Sequence, residues 1–382
     1  MILKRIFILV LFFFPFGEIL RIDFGNGFVL RPLDIGVGVL VIFWLLTKHL
    51  RKEKIKKKNI FISVLLFTVF GGLSLLINYP TLNVSQFLIS LMYLIRWVAY
   101  AGTFFIVLDF NENFKKKISI ILIVVGSLIV GLGYIQYFFY PSLRNLYYLG
   151  WDEHMFRMFS VFLDPNFAGA FFVLFFLFLV NNYFKKKSIA IALLSILTLG
   201  AVFLTFSRSA LIMLIVSSTL FLILMNRKIW IVFLLAITLL VLAISSRYFN
   251  IENINLFRIV SSEARLETAR NAISIISKNP IFGVGFNSYR YAQLKYGFRN
   301  EANVTSHADA SPDNSFLFVM ATTGIVGLII YLFLWYKILK IASILAISSV
   351  AGAFVDSLFI NSLFYPFIML WLWIIIALKE NT

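Results

Sequence analysis

The sequence predicts an all-α polytopic membrane protein with about twelve transmembrane helices. The chain has 382 residues, of which 61% are hydrophobic and only 13% are charged, whereas roughly a quarter of the residues in a soluble domain are charged. Its apolar runs are long enough to cross a hydrocarbon core about 30 Å thick, which takes roughly 20 helical residues. Lys and Arg also collect in alternate loops, as they do in proteins that cross a membrane many times.

The apolar runs give the approximate position of each span. In chain order they lie at 6–20, 33–47, 60–77, 87–108, 118–140, 167–182, 188–206, 209–225, 229–245, 315–336, 341–359 and 362–378. The first run lacks a small-residue cleavage site and is followed by many more, so it is interpreted as a span rather than as a signal peptide. Residues 1–382 are therefore expected to form a single membrane domain, in which 246–313 is a large extracytoplasmic loop.

The positive charge predicts how the spans are oriented. Basic residues recur in every second connection, at Lys4-Arg5, 51–58, 115–117, 185–187, 227–228, 337–340 and Lys379. Because Lys and Arg are retained on the cytoplasmic side of a membrane, both termini are expected in the cytoplasm. Twenty of the 34 cationic residues lie in or next to these loops, so the net charge of +17 does not require a nucleic-acid partner.

The two kinds of cation are distributed differently. Lys provides 17 of these 20 inner cations, whereas Arg provides 12 of the other 14. Arg has a planar guanidinium that binds two phosphate oxygens at once and never loses its proton. The pattern therefore favours a phosphate-bearing ligand on the extracytoplasmic side. A general preference for Arg in ordered outer structure is the alternative interpretation.

Several chemistries are disfavoured by what the sequence lacks. It has no Cys, so it can form neither a disulfide framework nor a thiolate metal site. It has no GxxxxGK[ST] motif, which leaves an ATP-driven pump unsupported, and neither HExxH nor CxxC occurs. We therefore expect neither a metal nor a cofactor.

The loop at 246–313 contains a predicted helix that ends before Pro280, since proline disfavours helical geometry at the residue preceding it. Four apolar residues recur at helical spacing on the face expected to lie on the spans or the membrane. They are Leu266, Ala269, Ile273 and Ile276. Arg265 does not belong to this face, so it is expected to contact a ligand, with a surface ion pair as the alternative. Beyond the helix, Gly283 and Gly285 predict a tight turn.

Three polar residues lie next to or within apolar runs. Arg208 connects two spans at the membrane surface, where it is either a functional residue or a headgroup anchor. Arg96 lies inside a span and needs an internal partner or a water-filled cavity, with Asp34 and Asp356 as candidate partners. Asn166 precedes a span, where it is either a functional residue or the helix cap.

A polar segment precedes the apolar run at 315–336. It contains His307, one of only three histidines in the chain, and it ends with Asp313 and Asn314. Acidic and amide side chains directly before a helix commonly cap it. Capping is thus one interpretation of this pair, and a functional role is the other.

Five features follow one another in order along the chain. They are LDPNFAG, TFSRSAL, a large outer loop with an Arg-bearing helix, NPIFGVGFNSY and DNSFLFVMATTGIVGL. This ordered set resembles the O-antigen ligase and polymerase family (Wzy-like and WaaL-like proteins). The motifs lie within residues 160–330, and the likeness in topology extends over about 80–336. No single motif is specific, and it is their order and their position relative to the spans that carry the resemblance.

The resemblance implies a GT-C-like fold and a glycosyltransferase that uses a glycan on undecaprenyl diphosphate. Arg208 and Arg265 would correspond to the family's diphosphate-binding arginines. Further candidates for the diphosphate site are Arg270, Arg157, Asn166 and Arg96. The family's last motif usually reads His-Asn-x-x-Leu, with the histidine as the base. Here Asp313 stands in that position before Asn314, so these two are the catalytic candidates, together with His307, which lies too far along the chain to be equivalent.

The expected activity is inverting, metal-independent transfer of a glycan to a hydroxyl of a lipid-linked repeat unit, at the outer face of the bacterial cytoplasmic membrane. A polymerase is favoured because polymerases vary more than ligases, which suits the Asp-for-His change. A ligase acting on lipid A core remains open, as does a polysaccharide flippase or other transporter. The implied partners are the lipid-linked oligosaccharide, membrane lipids, a flippase and a chain-length regulator.

Overall fold

The computed structural model describes residues 2–227, 229–232, 238–239, 260–301, 306 and 310–378. The elements of this part of the chain are thirteen α-helices, five short 3₁₀ helices and one short hairpin of two antiparallel strands. The helices are α1 (Ile2–Phe12), α2 (Pro32–Arg51), α3 (Lys58–Ile77), α4 (Val84–Asp109), α5 (Glu112–Phe139), α6 (Pro165–Lys186), α7 (Ile189–Leu204), α8 (Arg208–Leu224), α9 (Val260–Lys278), α10 (Tyr289–Lys295), α11 (Ser315–Leu339), α12 (Ile344–Asp356) and α13 (Pro366–Leu378). The strands are β1 (Ile22–Asp23) and β2 (Val29–Leu30).

Six of the described helices are long and apolar enough to cross a membrane: α2, α3, α4, α5, α6 and α11. Four shorter helices, α7, α8, α12 and α13, are also apolar. The predicted class, a helical multi-pass membrane protein, is therefore confirmed. The number of spans, about twelve, stays a prediction, and the span predicted at 229–245 lies largely outside the described residues.

The first predicted span, 6–20, is wrong in extent, because α1 ends at Phe12. A 3₁₀ turn containing Pro15 follows, and proline cannot donate the backbone hydrogen bond that would continue an α-helix. Gly17 then adopts φ +52°, and a Cβ at this position would lie 2.1 Å from the carbonyl oxygen of Val161. The chain leaves the helix here because only glycine allows this close approach.

Helix α13 lies at the centre of the bundle. Every residue from Pro366 to Leu378 is buried, which is typical of a helix that is hydrophobic on all sides and surrounded by others. It packs on α4, α6 and α12, and α6 also packs on α7 and α8. Trp371 contacts the rings of Phe14, Phe171 and Phe178 with centroids 5.1 to 6.3 Å apart. The site described below is built where α6, α8 and α11 begin and α12 ends.

Helix α11 is broken at Gly324, where φ is +68° and ψ is −173°. The loop that follows α9 fills the break with its own backbone. Ile325 N donates to Pro280 O at 2.8 Å, and Val284 N donates to Ala321 O at 2.9 Å. These bonds replace those that the helix loses, as is required where irregular backbone is buried among membrane helices. The predicted turn is confirmed, with φ +66° at Gly283.

Helix α9 confirms the predicted helix in the loop, since it ends at Lys278, two residues before Pro280. The predicted apolar face is only partly right, because Leu266 and Ile273 are exposed. The face that packs on α11 and α10 is instead centred on Ala272, Ile275 and Ile276. The prediction failed because α9 follows the surface offered by Val284, Tyr289 and Phe318 rather than the stripe with the largest apolar side chains.

Candidate active site

The turn that precedes α8 is held by a buried arginine. Arg157 is 6% exposed, and its Nε donates to Thr205 O at 2.9 Å while its Nη2 donates to Phe206 O at 3.4 Å. The two carbonyls belong to the residues just before Ser207, the N-cap of α8. These contacts hold the turn that leads into Arg208, the first residue of α8, and the predicted role of Arg157 as a diphosphate ligand stays a prediction.

The start of α6 is joined to the start of α8. Asn166 Oδ1 accepts hydrogen bonds from Ser207 Oγ at 2.9 Å and from Arg157 Nη2 at 3.4 Å. The N-cap of α6 is Asp164, whose Oδ1 accepts from the backbone N–H groups of Asn166 and Phe167. Of the two interpretations of Asn166, capping is therefore wrong, and the residue instead links two helix termini.

Arg208 and Arg265 approach each other from different elements. Arg208 begins α8 and is half-buried. Arg265 lies on the inner face of α9, seven residues before buried Ala272, and residues seven apart lie on one side of a helix. Arg208 is partly removed from solvent, and the positive charge of Arg265 also acts on it. Like charges that converge in a partly dehydrated place favour an anion between or beside them.

Arg270 is not brought to this pair. It is exposed, and five residues of α-helix turn it about 140° away from Arg265. Arg265 is thus partly buried and Arg270 is exposed, although both were predicted to bind the same diphosphate.

A buried carboxylate completes the site, and the sequence did not indicate it as a site residue. Asp356, at the end of α12, is fully buried beside the hydroxyls of Ser209 and Ser362. Arg265 attracts this carboxylate and Asp164 repels it. Neither carboxylate oxygen of Asp356 has a hydrogen bond of ordinary geometry within the described part of the chain. An acidic residue at the end of an apolar run is the signal that could have found it.

Asp313 and Asn314 have different roles at the start of α11. Asn314 is the N-cap, since its Oδ1 accepts from Phe316 N at 2.8 Å and from Leu317 N at 2.9 Å. Asp313 does not cap the helix, and its Oδ2 lies 3.5 Å from Thr268 Oγ1 on α9. Because Thr268 is one turn beyond Arg265, Asp313 lies on the side of α9 that carries the inner arginine. His307 lies outside the described residues.

Arg96 belongs to a different polar cluster. Its Nη2 lies 3.1 Å from Asp34 Oδ2 and also donates to Val29 O, and its guanidinium lies over the ring of Tyr93, 4.5 Å from the centroid. Asp34 and Asp356 were the predicted candidates to pair with Arg96, and the structure pairs it with Asp34. Arg96 lines a cavity whose walls include neither Arg208 nor Arg265.

Among the described residues, no group of three or more His, Cys, Asp or Glu side chains could hold a metal ion. The charged groups of this region are Arg157, Arg208, Arg265 and three carboxylates, of which Asp356 is attracted by Arg265 and Asp313 contacts Thr268 of α9. The third carboxylate is that of Asp164. Arginines can neutralise a phosphate, and a carboxylate can accept a proton from a hydroxyl. The arrangement is therefore suited to reactions in which a phosphate-bearing group is displaced.

Residues 193–332 match the O-antigen ligase family model, Wzy_C. The match confirms the family that the ordered motifs resemble. It begins within α7 and ends within α11, so it contains Arg208, Arg265, Asp313 and Asn314, the residues that the motifs selected. The Wzy_C family implies a glycosyltransferase-type membrane enzyme with ligase or polymerase activity. No curated protein matches the chain.

The remaining site residues lie outside the Wzy_C segment. Arg157, Asn166 and Asp164 precede it, and Asp356 follows it. The contacts between Asn166 and Ser207, and between Asp356 and Ser209, join these flanking helices to the Wzy_C segment. The complete site therefore depends on the fold of the chain beyond the matched residues.

Proposed function

We propose that this protein polymerises a bacterial surface polysaccharide. It transfers a glycan from undecaprenyl diphosphate to a hydroxyl of a lipid-linked repeat unit, at the outer face of the cytoplasmic membrane, within a GT-C-like fold. The observation that carries the proposal is that Arg208, at the start of α8, and Arg265, on the inner face of α9, both belong to the Wzy_C segment, where the charge of Arg265 acts on partly buried Arg208.

The two arginines bind the diphosphate that leaves. Displacement of a glycosyl group places negative charge on the departing diphosphate, and fixed guanidinium groups stabilise it without needing to reorganise. Arg208 is also the first residue of α8, where the N-terminal backbone N–H groups and the helix dipole favour an anion. The carboxylate of buried Asp356 attracts Arg265.

Asp313 acts as the base. Asn314, and not Asp313, provides the cap of α11, and the carboxylate of Asp313 faces the side of α9 that carries Arg265. The acceptor hydroxyl attacks the anomeric carbon of the donor glycan, and the bond from that carbon to the diphosphate oxygen breaks. The hydroxyl proton passes to Asp313, and the electron pair leaves on the diphosphate. A single displacement of this kind inverts the anomeric carbon.

The second candidate is a ligase that transfers the glycan to lipid A core. It is favoured by the description of the matched family, O-antigen ligase. Both reactions use the same leaving group and differ only in the acceptor.

The proposal is tested by incubating the purified protein in lipid nanodiscs with its undecaprenyl-diphosphate-linked repeat units. A polymerase is expected to produce a ladder of glycans that differ by one repeat. A ligase is expected to produce a single adduct when lipid A core is added, and no ladder. The absence of both products with the cognate repeat unit would overturn the proposed function.

Asp313→Asn is expected to lower the rate of transfer by about 10²–10⁴-fold, since general-base catalysis typically contributes that much. The amide is nearly the same size as the carboxylate but cannot accept the proton. The rate is measured in the same ladder assay, with Asp152→Asn as the matched control, because Asp152 is an exposed aspartate of the loop at 141–166. A normal rate for a well-folded Asp313→Asn protein would remove Asp313 as the base.

A further inference from the structure

An apolar pocket lies between α6, α7 and α8. It has a volume of about 360 Å³, and its walls include Leu177 and Val180 of α6, Ile196 of α7 and Phe221 of α8. Ile196 is 65% exposed, so the pocket opens on the surface of the bundle, where lipid chains contact a membrane protein. An apolar cavity of about 150 Å³ is already large enough to bind benzene, and an unfilled cavity loses dispersion contacts. The pocket is therefore suited to a hydrocarbon chain.

The pocket lies near the ends of helices that lead into two basic loops. Phe184 belongs to the last turn of α6 and Phe221 to the last turn of α8, and both line the pocket. The basic segments 185–187 and 227–228 follow them in the chain. These are two of the segments that predict the cytoplasmic side of the membrane. The pocket thus lies at the depth of the leaflet on that predicted side.

Two cations lie against the aromatic wall of the pocket. Lys187 Nζ lies 5.2 Å from the ring centroid of Tyr183 and 5.1 Å from that of Phe184. The guanidinium carbon of Arg227 lies 5.8 Å from the ring centroid of Phe184. Within the described part of the chain neither cation forms an ion pair, and the sequence has no Asp or Glu at 165–251. This end of the pocket therefore favours an anionic head group.

A buried hydroxyl group in the pocket has no hydrogen-bond partner. Ser218 lines the pocket and is 3% exposed, and its Oγ makes no hydrogen bond with any described residue. A serine inside a helix can donate to the carbonyl four residues earlier, as Ser195 Oγ of the same pocket does to Ile191 O at 2.7 Å. An unsatisfied hydroxyl in apolar surroundings costs free energy. A ligand that carries an acceptor, such as the ester carbonyl of a phospholipid, would satisfy it.

From these observations we infer that the pocket binds an anionic phospholipid of the cytoplasmic leaflet. One acyl chain fills the space between the three helices, an ester carbonyl accepts a hydrogen bond from Ser218 Oγ, and the phosphate lies beside Lys187 and Arg227. The site is separate from the candidate active site, because Phe221 lies thirteen residues after Arg208, about 20 Å along α8. The inference does not depend on the proposed function.

The polyprenyl chain of the proposed donor is the other hydrocarbon that the membrane would supply. Its diphosphate is placed at Arg208, at the opposite end of α8. The chain itself has neither an acceptor for Ser218 nor a negative charge for Lys187 and Arg227. The two cations and the buried hydroxyl thus favour the phospholipid.

The test is the affinity of the purified full-length protein for phosphatidylglycerol and for phosphatidylcholine with identical acyl chains, measured by native mass spectrometry in detergent. Phosphatidylglycerol is expected to bind more tightly. Lys187→Gln and Arg227→Gln are each expected to weaken it about fivefold, the typical contribution of one basic residue near an anionic lipid, and to leave phosphatidylcholine nearly unchanged. Both side chains are exposed, so the folded protein is expected to tolerate the substitutions.

Ser218→Ala tests the ester carbonyl separately from the head group. Both lipids carry the same ester linkages, so the loss of one hydrogen bond is expected to weaken both by a similar factor, about fivefold. The preference for phosphatidylglycerol should remain. Unchanged affinity of this variant for both lipids would remove Ser218 from the site and contradict the inferred position of the lipid.

Lys340→Gln is the matched control. Lys340 is an exposed cation 4.5 Å from the ring centroid of Tyr336, it belongs to another predicted cytoplasmic loop, and it does not line the pocket. This variant should bind phosphatidylglycerol with wild-type affinity. Equal affinity of the wild-type protein for the two phospholipids, or equal effects of Lys340→Gln and Arg227→Gln, would overturn the inference. Displacement of bound phosphatidylglycerol by undecaprenol, which has no phosphate, would also overturn it and assign the pocket to a polyprenyl chain.

Discussion

Replacement of Arg265 by Gln is expected to lower the rate of glycan transfer by about 10²–10³-fold, the typical effect of removing one preorganised donor from a developing anion. Arg265 lies on the inner face of α9, where its charge acts on Arg208 and on buried Asp356. Gln keeps much of the side-chain length but loses the charge. Without it, the departing diphosphate is stabilised by Arg208 alone.

The same helix provides the matched control. Arg270 lies on the exposed face of α9, so Arg270→Gln removes an identical charge only five residues away and is expected to transfer at nearly the wild-type rate. The measurement is kcat and KM for ladder formation by both variants. The main effect should be on kcat, because the negative charge develops during the reaction. If Arg265→Gln and Arg270→Gln lowered kcat by the same factor, the position of Arg265 on α9 would not matter, and only the total positive charge of the helix would contribute.

Replacement of Gly324 by Ala is expected to destabilise the folded protein by more than about 3 kcal/mol. The residue adopts φ +68°, and a Cβ would lie 2.0 Å from the carbonyl oxygen of Ile281. That atom is backbone in the loop that fills the break in α11, so it cannot rotate away as a flexible side chain would. The substitution should expel the loop and with it the hydrogen bonds that satisfy α11.

The outcome is measured as the midpoint of thermal unfolding in detergent, followed by size-exclusion chromatography. Gly131→Ala is the control, since Gly131 lies within α5 and a Cβ there has open space within 4 Å. Alanine favours a helix interior over glycine by about 0.5–1 kcal/mol, so this variant should be as stable as the wild type or more so. If both variants unfold at the same temperature, the docked loop does not stabilise α11.

Local signals in the sequence predicted many of the elements. The length and hydropathy of the apolar runs anticipated α2 to α8 within a few residues, and Pro280 anticipated the end of α9. Such features depend on residues that are neighbours in the chain, so the sequence alone predicts them. The sequence alone could not predict which face of α9 is buried, because that face is determined by contacts with Phe318 and Tyr289, which are distant in sequence.

The candidate site was only partly predictable for the same reason. Arg208 and Arg265 were selected by motif order, and the charge of Arg265 on α9 acts on Arg208 at the start of α8. Asp356 had been considered only as a partner for Arg96, which pairs instead with Asp34. Its role emerges from the packing of α12 on α8, a contact that no local pattern encodes. The hydrogen bonds by which Arg157 holds the turn before α8 could not be predicted from the sequence, and its role as a ligand stays a prediction.

The central claim is that a lipid diphosphate leaves from Arg208 and Arg265 as each glycosidic bond forms. It is tested most directly by measuring free undecaprenyl diphosphate and new glycosidic bonds in the same reaction with purified protein and lipid-linked repeat units. We predict that the two are produced in equal amounts and that both are lost together in Arg208→Gln and Arg265→Gln. Glycosidic bonds formed without release of undecaprenyl diphosphate, or unchanged release in both variants, would contradict the account.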